Sequence, residues 1–133
     1  MSQQDLDMLA GAYDAFFSGR REAALAMIDP DIVVEVHTDR PDTSSDVYRG
    51  HEGFMANFEA MTDVFDEFTS LPEQMQDGEG RVLVTVRVTG RGRGSGVTID
   101  ARVFHVWTVA DGLATRLEVH SDRAQALRSF GAT

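Results

Sequence analysis

Cysteine is missing from the chain altogether, which excludes disulfides, zinc sites built on thiolates and a cysteine nucleophile, and leaves the redox compartment open. No apolar run is long enough to span a membrane, so no membrane partner is expected. The start, Met1-Ser2-Gln3-Gln4-Asp5, lacks the basic and apolar segments of a secretory signal, and the expected location is cytoplasmic. Positive charge is scarce: 12 basic residues face 22 acidic ones, for a formal net charge of -10. Such a surface repels a phosphate backbone, so nucleic acid is not an expected partner even with Arg91 and Arg93 close together; the acidity serves solubility instead. A nucleophile elbow, a phosphate loop of the Walker type, the HExxH zinc motif and internal repeats are absent as well, so an enzyme built on this chain would rely on acid-base chemistry in an apolar pocket.

What remains is the composition of an ordinary globular protein, 42% apolar and 26% charged over 133 residues. That length predicts one domain over residues 1–133 with one core, burying roughly two-thirds of the surface of the unfolded chain. Ser2 followed by Asp5 reads as a capping box, and Leu6, Leu9, Tyr13, Phe16 and Phe17 recur at helical spacing until Gly19, which predicts a first helix. Ala24, Met27 and Ile28 predict a second, short helix that ends at the turn Asp29-Pro30-Asp31. Ile32 to Val36 is β-branched and predicts a strand, after which Thr38 to Asp46 reads as a loop. From Gly50 the spacing of Phe54, Phe58, Met61 and Phe65 predicts a third helix to about Phe65.

Val82, Val84, Val86 and Val88 alternate with Leu83, Thr85, Arg87 and Thr89, a strand entered by a hairpin turn at Asp77-Gly78-Glu79-Gly80. The turn Gly90 to Gly96 leads into a long central strand. Val97, Ile99, Ala101, Val103, His105, Trp107 and Val109 lie on one of its faces, and Thr98, Asp100, Arg102, Phe104, Val106 and Thr108 on the other. Because a strand follows the glycine-rich turn, it reads as a flexible hairpin and not as a phosphate cradle. Asp111-Gly112 turns the chain into a last strand, Leu113 to Ser121, and a tail helix around Ala124 to Leu127. Helices followed by an antiparallel meander predict an α+β fold, three helices packed in a strongly curved antiparallel sheet with an internal pocket.

His105 stands among apolar side chains on the inward face of the central strand. Desolvation there lowers its pKa and leaves it neutral near pH 7, which suits either a general base or a buried histidine satisfied by a neighbour. Phe16, Phe54, Phe58, Met61 and Trp107 could line a ligand pocket or simply be core. The inward strand positions Val84, Val86, Val103, Val119 and Ser121 complete the expected lining. Glu35 and His37 share one face of the first strand and could be metal ligands or an acid with its partner; opposite Ile32, Val34 and Val36, they read as rim or solvent residues. Arg116, Glu118 and His120 read likewise as an outward set, facing solvent or a second copy. His51 reads as a solvated cap at a helix start. With the histidines scattered one per element, no metal is expected.

Tyr48-Arg49-Gly50-His51-Glu52-Gly53-Phe54 resembles the entry to the third helix of the nuclear-transport-factor-2-like (SnoaL-like) family. Phe104-His105-Val106-Trp107-Thr108-Val109-Ala110-Asp111-Gly112 resembles its final hairpin. Asp29-Pro30-Asp31-Ile32-Val33-Val34 is similar to its first strand and Leu117-Glu118-Val119-His120-Ser121-Asp122 to its last. The resemblance covers nearly the whole chain and implies a conical fold with one pocket for a small, largely apolar molecule. The family includes polyketide cyclases, ketosteroid isomerases, limonene-epoxide hydrolases and scytalone dehydratase, alongside transport factors and proteins with no known activity, so the fold does not give the function.

On this resemblance His105 falls where the polyketide cyclases place their catalytic aspartate. The tyrosine of the ketosteroid isomerases aligns with Ala12, one residue from Tyr13, and their strand-one aspartate with Val36. The aspartate, arginine, aspartate set of the epoxide hydrolases has no match, while the dehydratase relatives handle protons with histidines. Two functions are therefore expected. One is a cofactor-free isomerase, cyclase or dehydratase acting on a hydrophobic carbonyl compound, with His105 as proton carrier and Tyr13 or Tyr48 as donor to the oxyanion. The other is a module that binds a small apolar molecule without chemistry. Neither implies a cofactor. A homodimer is also expected, because Phe104 and Val106 lie on the outward sheet face through which the family commonly pairs.

Overall fold

The computed structural model describes residues 2–37 and 46–131. Its elements are α1 (Ser2–Phe17), α2 (Arg21–Leu25), β1 (Ile28–His37), β2 (Asp46–Arg49), α3 (Gly50–Val64), β3 (Phe65–Asp77), β4 (Arg81–Gly92), β5 (Thr98–Ala110), β6 (Leu113–His120) and α4 (Arg123–Phe130). Six strands form one unclosed, curved sheet in the order β2-β1-β6-β5-β4-β3. Four of its five pairings are antiparallel. The fifth, β1 with β6, is parallel, so the expected antiparallel sheet carries one parallel seam, the second from the β2 edge. No helix among the described residues is long and apolar enough to cross a membrane.

The period-two patterns seen in the sequence become the pairing itself. Val84 stands opposite His105 and Val86 opposite Val103 across β4 and β5, while His105 stands opposite Val119 and Trp107 opposite Leu117 across β5 and β6. Cross-strand partners share a face, so these apolar rows and the imidazole all point to the inner side, where α1 and α3 pack. Leu9 and Tyr13 of α1 join Val34, Val82, Val84, Val86, Trp107 and Leu117 in the main core cluster.

Two elements depart from expectation. The short second helix stops at Leu25, and Ile28 and the Asp29-Pro30-Asp31 turn belong instead to β1, whose register with β6 slips between Ile28 and Val33. The aspartate-proline turn is thus an irregularity inside the strand, tightened by the Asp31 amide donating to Asp29 Oδ1 at 2.7 Å. β3 is a full strand that the sequence pattern conceals. Its register slips between Asp66 and Thr69, where Glu67 takes the left-handed backbone conformation (φ 54°), and again between Pro72 and Gln74. Each bulge resets the alternation, and β3 tolerates Pro72 because it is an edge strand. The loop read from Thr38 to Asp46 falls outside the described residues up to Ser45, with Asp46 opening β2, and so does capping by the Ser2 side chain.

The outer face is divided. α4, capped by the Asp122 carboxylate accepting from the Ala124 amide at 2.9 Å, lays Ala126, Leu127 and Phe130 over Leu83, Phe104 and Val106. The apolar pair behind the expected homodimer is therefore covered by the chain's own tail helix. A second copy meeting the rest of this face would meet ion pairs, Arg87 with Asp100 at 2.6 Å and Arg102 with Glu73 at 2.6 Å. Beside α4, Glu118 accepts from Ser129 Oγ at 2.5 Å and from His120 Nε2 at 2.9 Å, and the His120 ring stacks on His37 at 4.9 Å. Glu35 pairs with Arg116. The outward placement of these residues holds, but His120 is only 5% exposed, so it is not a solvent residue. His51 is no free cap either: its Nε2–H donates to the Ile28 carbonyl at 2.8 Å and ties the start of α3 to β1.

Candidate functional site

Between the inner sheet face and helices α1 and α3 lies a cavity of about 580 Å³, within the size range of small-molecule sites. α1 covers the rows at Val82, Val84 and Val86, while Phe54, Phe58 and Met61 of α3 and Val103, His105 and Trp107 of β5 border the hollow. Exposed Val64 and Ala101 border it, so the opening lies toward the start of β5 and the floor toward Trp107.

The sequence-predicted site residues sort clearly. Phe16, Phe54, Phe58 and Met61 line the cavity from the helices, and Val103, Trp107, Val119 and Ser121 from the sheet side. Val84 and Val86 do not. Both are fully buried in the core cluster with Leu9 and Tyr13, because α1 seals that part of the inner face. Tyr48 is not brought to the site. It sits on β2, three strand spacings or about 14 Å from β5, packed against Gly53 at the head of α3, where even an added Cβ would meet Tyr48 atoms at 3.0 Å.

His105 and Tyr13 meet at the floor. The Tyr13 hydroxyl lies 2.6 Å from His105 Nδ1, and Trp107 Nε1–H donates to the same hydroxyl oxygen at 2.9 Å. The Tyr13 and His105 rings are nearly parallel at 5.9 Å, with Trp107 edge-on to both. Helix α1 places Tyr13, and β5 places His105 and Trp107 two residues apart on one face, so three side chains from two elements are locked by packing and by hydrogen bonds.

Burial pushes the Tyr13 hydroxyl well above the ordinary phenol range, partly opposed by the Trp107 hydrogen bond, so Tyr13 stays un-ionised. Burial also holds His105 down to about 4, so the imidazole is neutral at pH 7. The ring lies deep in the fold yet is partly exposed, since one edge borders the hollow. His105 and Tyr13 are the only titratable residues of the lining among the described residues, and no three His, Asp or Glu side chains gather there as a metal site.

Sequence reasoning missed Asn57, Phe68 and Ser70, all of which line the cavity. Phe68 and Ser70 sit on β3, where the bulge at Glu67 hides the strand period. Asn57 is a polar position on the inner face of α3, one residue before Phe58, and the aromatic spacing alone does not single it out. Around Phe16 the rings of Phe17, Phe54 and Phe58 pack edge to face at 5.5, 5.7 and 4.5 Å, which gives one end of the cavity an aromatic wall.

No curated protein sequence matches the chain. Solved structures do. A Jannaschia protein proposed to be a SnoaL-like polyketide cyclase superposes with a TM-score of 0.78 at 19% identity, over 100% of this chain and 95% of that one. A nuclear-transport-factor-2-like protein of Burkholderia thailandensis gives 0.75 at 25% identity over 96% and 98%. TerC, co-crystallised with polyporic acid, gives 0.73 at 21% over 98% and 99%. Likeness at the lower of these identities is one of fold. The SnoaL-like domain profile itself matches residues 9–117, from the middle of α1 to the last strand that lines the cavity, and the chain belongs to the SnoaL-like domain family.

Proposed function

We propose that the chain holds a small, largely apolar carbonyl compound in this cavity and promotes an isomerase, cyclase or dehydratase type of step on it without a cofactor. The observation that carries this reading is the Tyr13 hydroxyl 2.6 Å from His105 Nδ1, a second hydrogen-bonding group coupled to the one imidazole of the described lining. Enolisation, the elementary step common to such reactions, passes the proton on the carbon beside a carbonyl to solvent water while the carbonyl oxygen, hydrogen-bonded by the site, takes up the charge, and needs no electron acceptor. A hydrogen bond from a fixed, desolvated group to that oxygen lowers the barrier. The chain has no lysine, so imine formation is not open to it. TerC holding polyporic acid supports a small-molecule role for the fold.

A second reading, a binding module without chemistry, rests on the absence of any carboxylate from the described lining, which leaves no strong base beside His105. Deuterium exchange separates the two. With 2-tetralone in D2O, followed by proton NMR, the wild-type protein is expected to accelerate loss of the protons beside the carbonyl over buffer, and His105→Phe to remove the acceleration. Saturable binding of 2-tetralone with no acceleration would leave the binding module and discard the enzyme.

A further inference from the structure

The three side chains at the cavity floor form a directed chain of hydrogen bonds, and the direction can be worked out by counting protons. Trp107 Nε1 can only donate, so the Tyr13 oxygen accepts at 2.9 Å. The remaining contact of that hydroxyl, to His105 Nδ1 at 2.6 Å, has two arrangements. Either Tyr13 gives its proton to Nδ1, and the neutral imidazole keeps its own proton on Nε2, or Nδ1–H donates to the oxygen. In the second case the oxygen accepts twice, and the buried Tyr13 proton has no acceptor among the described residues. Stranding a buried donor favours the first arrangement by roughly five- to hundredfold. His105 Nε2 has no hydrogen-bond partner among the described residues and is not a sealed atom, so its proton is offered to the hollow.

Resting on the reading that this cavity is the ligand site, we propose that Tyr13, its oxygen held by Trp107, is a positioning residue that keeps His105 as a hydrogen-bond donor. The site then takes ligands presenting a carbonyl or quinone oxygen on a flat apolar frame. The rest of the wall supports the frame. The rings of Phe16, Phe54 and Phe58 stand edge to face beside the floor, an arrangement that accepts a further flat ring. A cationic amine would meet an N–H donor and, among the described residues, no carboxylate, a desolvated charge without a partner. The imidazole therefore meets the ligand as a polarising donor in the resting state, not as a base.

Two measurements test this. Long-range proton–nitrogen correlation spectra of histidine-15N protein at pH 7 report the tautomer directly. The wild type is expected to show His105 protonated at Nε2 with Nδ1 bare, Trp107→Phe to keep that form, and Tyr13→Phe to show a mixture. Tyr13→Phe removes only a hydroxyl and serves if the tryptophan variant fails to fold. A wild-type spectrum with the proton on Nδ1 overturns the proposal without reference to any ligand. The second measurement is titration with 2-acetylnaphthalene and 2-ethylnaphthalene, which share a frame and differ in the acceptor oxygen. About tenfold tighter binding of the ketone is expected, reduced in Tyr13→Phe and lost in His105→Phe. Equal binding of the two probes sinks the acceptor preference and leaves the apolar pocket standing. Binding of neither discards the pocket reading itself, while the tautomer spectrum still decides the role of Tyr13.

Discussion

Holding an imidazole neutral at about 4 makes His105 a contributor to the acid sensitivity of the whole fold. An unfolded histidine titrates near ~6.5. Between those two values the unfolded chain carries a proton that the folded chain refuses, so this contribution to stability is complete above about pH 6.5 and is lost as the pH falls toward 4. The full loss is roughly 3 kcal/mol at most. Urea melts at pH 7 and pH 5 should show the wild type weakening more than His105→Phe, and an identical drop in both proteins would show that the ring is solvated. Glu118, held low by Ser129 and His120 although burial pulls the other way, adds its own loss in the lower part of this range, which is why the variant is the proper control. The inward placement of His105 was legible from the alternation of β5. Its partner was not, because Tyr13 lies 92 residues away and nothing in local spacing links a helix position to a strand position. Tyr48 and Tyr13 look alike in the sequence, and only the sheet order separates them.

At the level of elements, β4 and β5 were readable because neither is interrupted and each alternates for the length of the strand. β3 was not, since two bulges erase its period, nor was the four-residue β2, too short for any pattern. The tail helix was found by its sequence but not its task. By lying over Leu83, Phe104 and Val106, α4 shields sheet residues that would otherwise form an apolar patch, and exposed patches drive association. Truncation after Asp122 is accordingly expected to give a folded protein that binds a hydrophobic dye and self-associates, whereas the full chain at the same concentration does neither through this patch. Static light scattering and dye fluorescence check it, and a truncated chain indistinguishable from the full one would show that the cover is unimportant. The contact of Ser129 with Glu118 fixes the far end of the same helix, so the truncation leaves that carboxylate to His120 and Arg116.

For the molecule as a whole, the parallel seam between β1 and β6 has a consequence in time. The pairings β3–β4, β4–β5 and β5–β6 each join neighbours in the chain and can close as hairpins within microseconds. Val33 must instead find Arg116, and Val36 must find Val119, across well over half of the 133-residue chain, and the loop-closure entropy for that is met by no local contact. A self-repelling chain with a net charge of -10 makes the meeting slower at low salt. Pulse-labelled hydrogen exchange during refolding should find the amides of β4 and β5 protected before those of Val34 and Val36, with the gap narrowing as salt is added; simultaneous protection would discard this order. Since Val36 and Ile28 of β1 border the cavity, the hollow is the last part of the molecule to acquire its wall, and a ligand that stabilises it would act on the late stage of folding, slowing unfolding while leaving the early hairpins untouched.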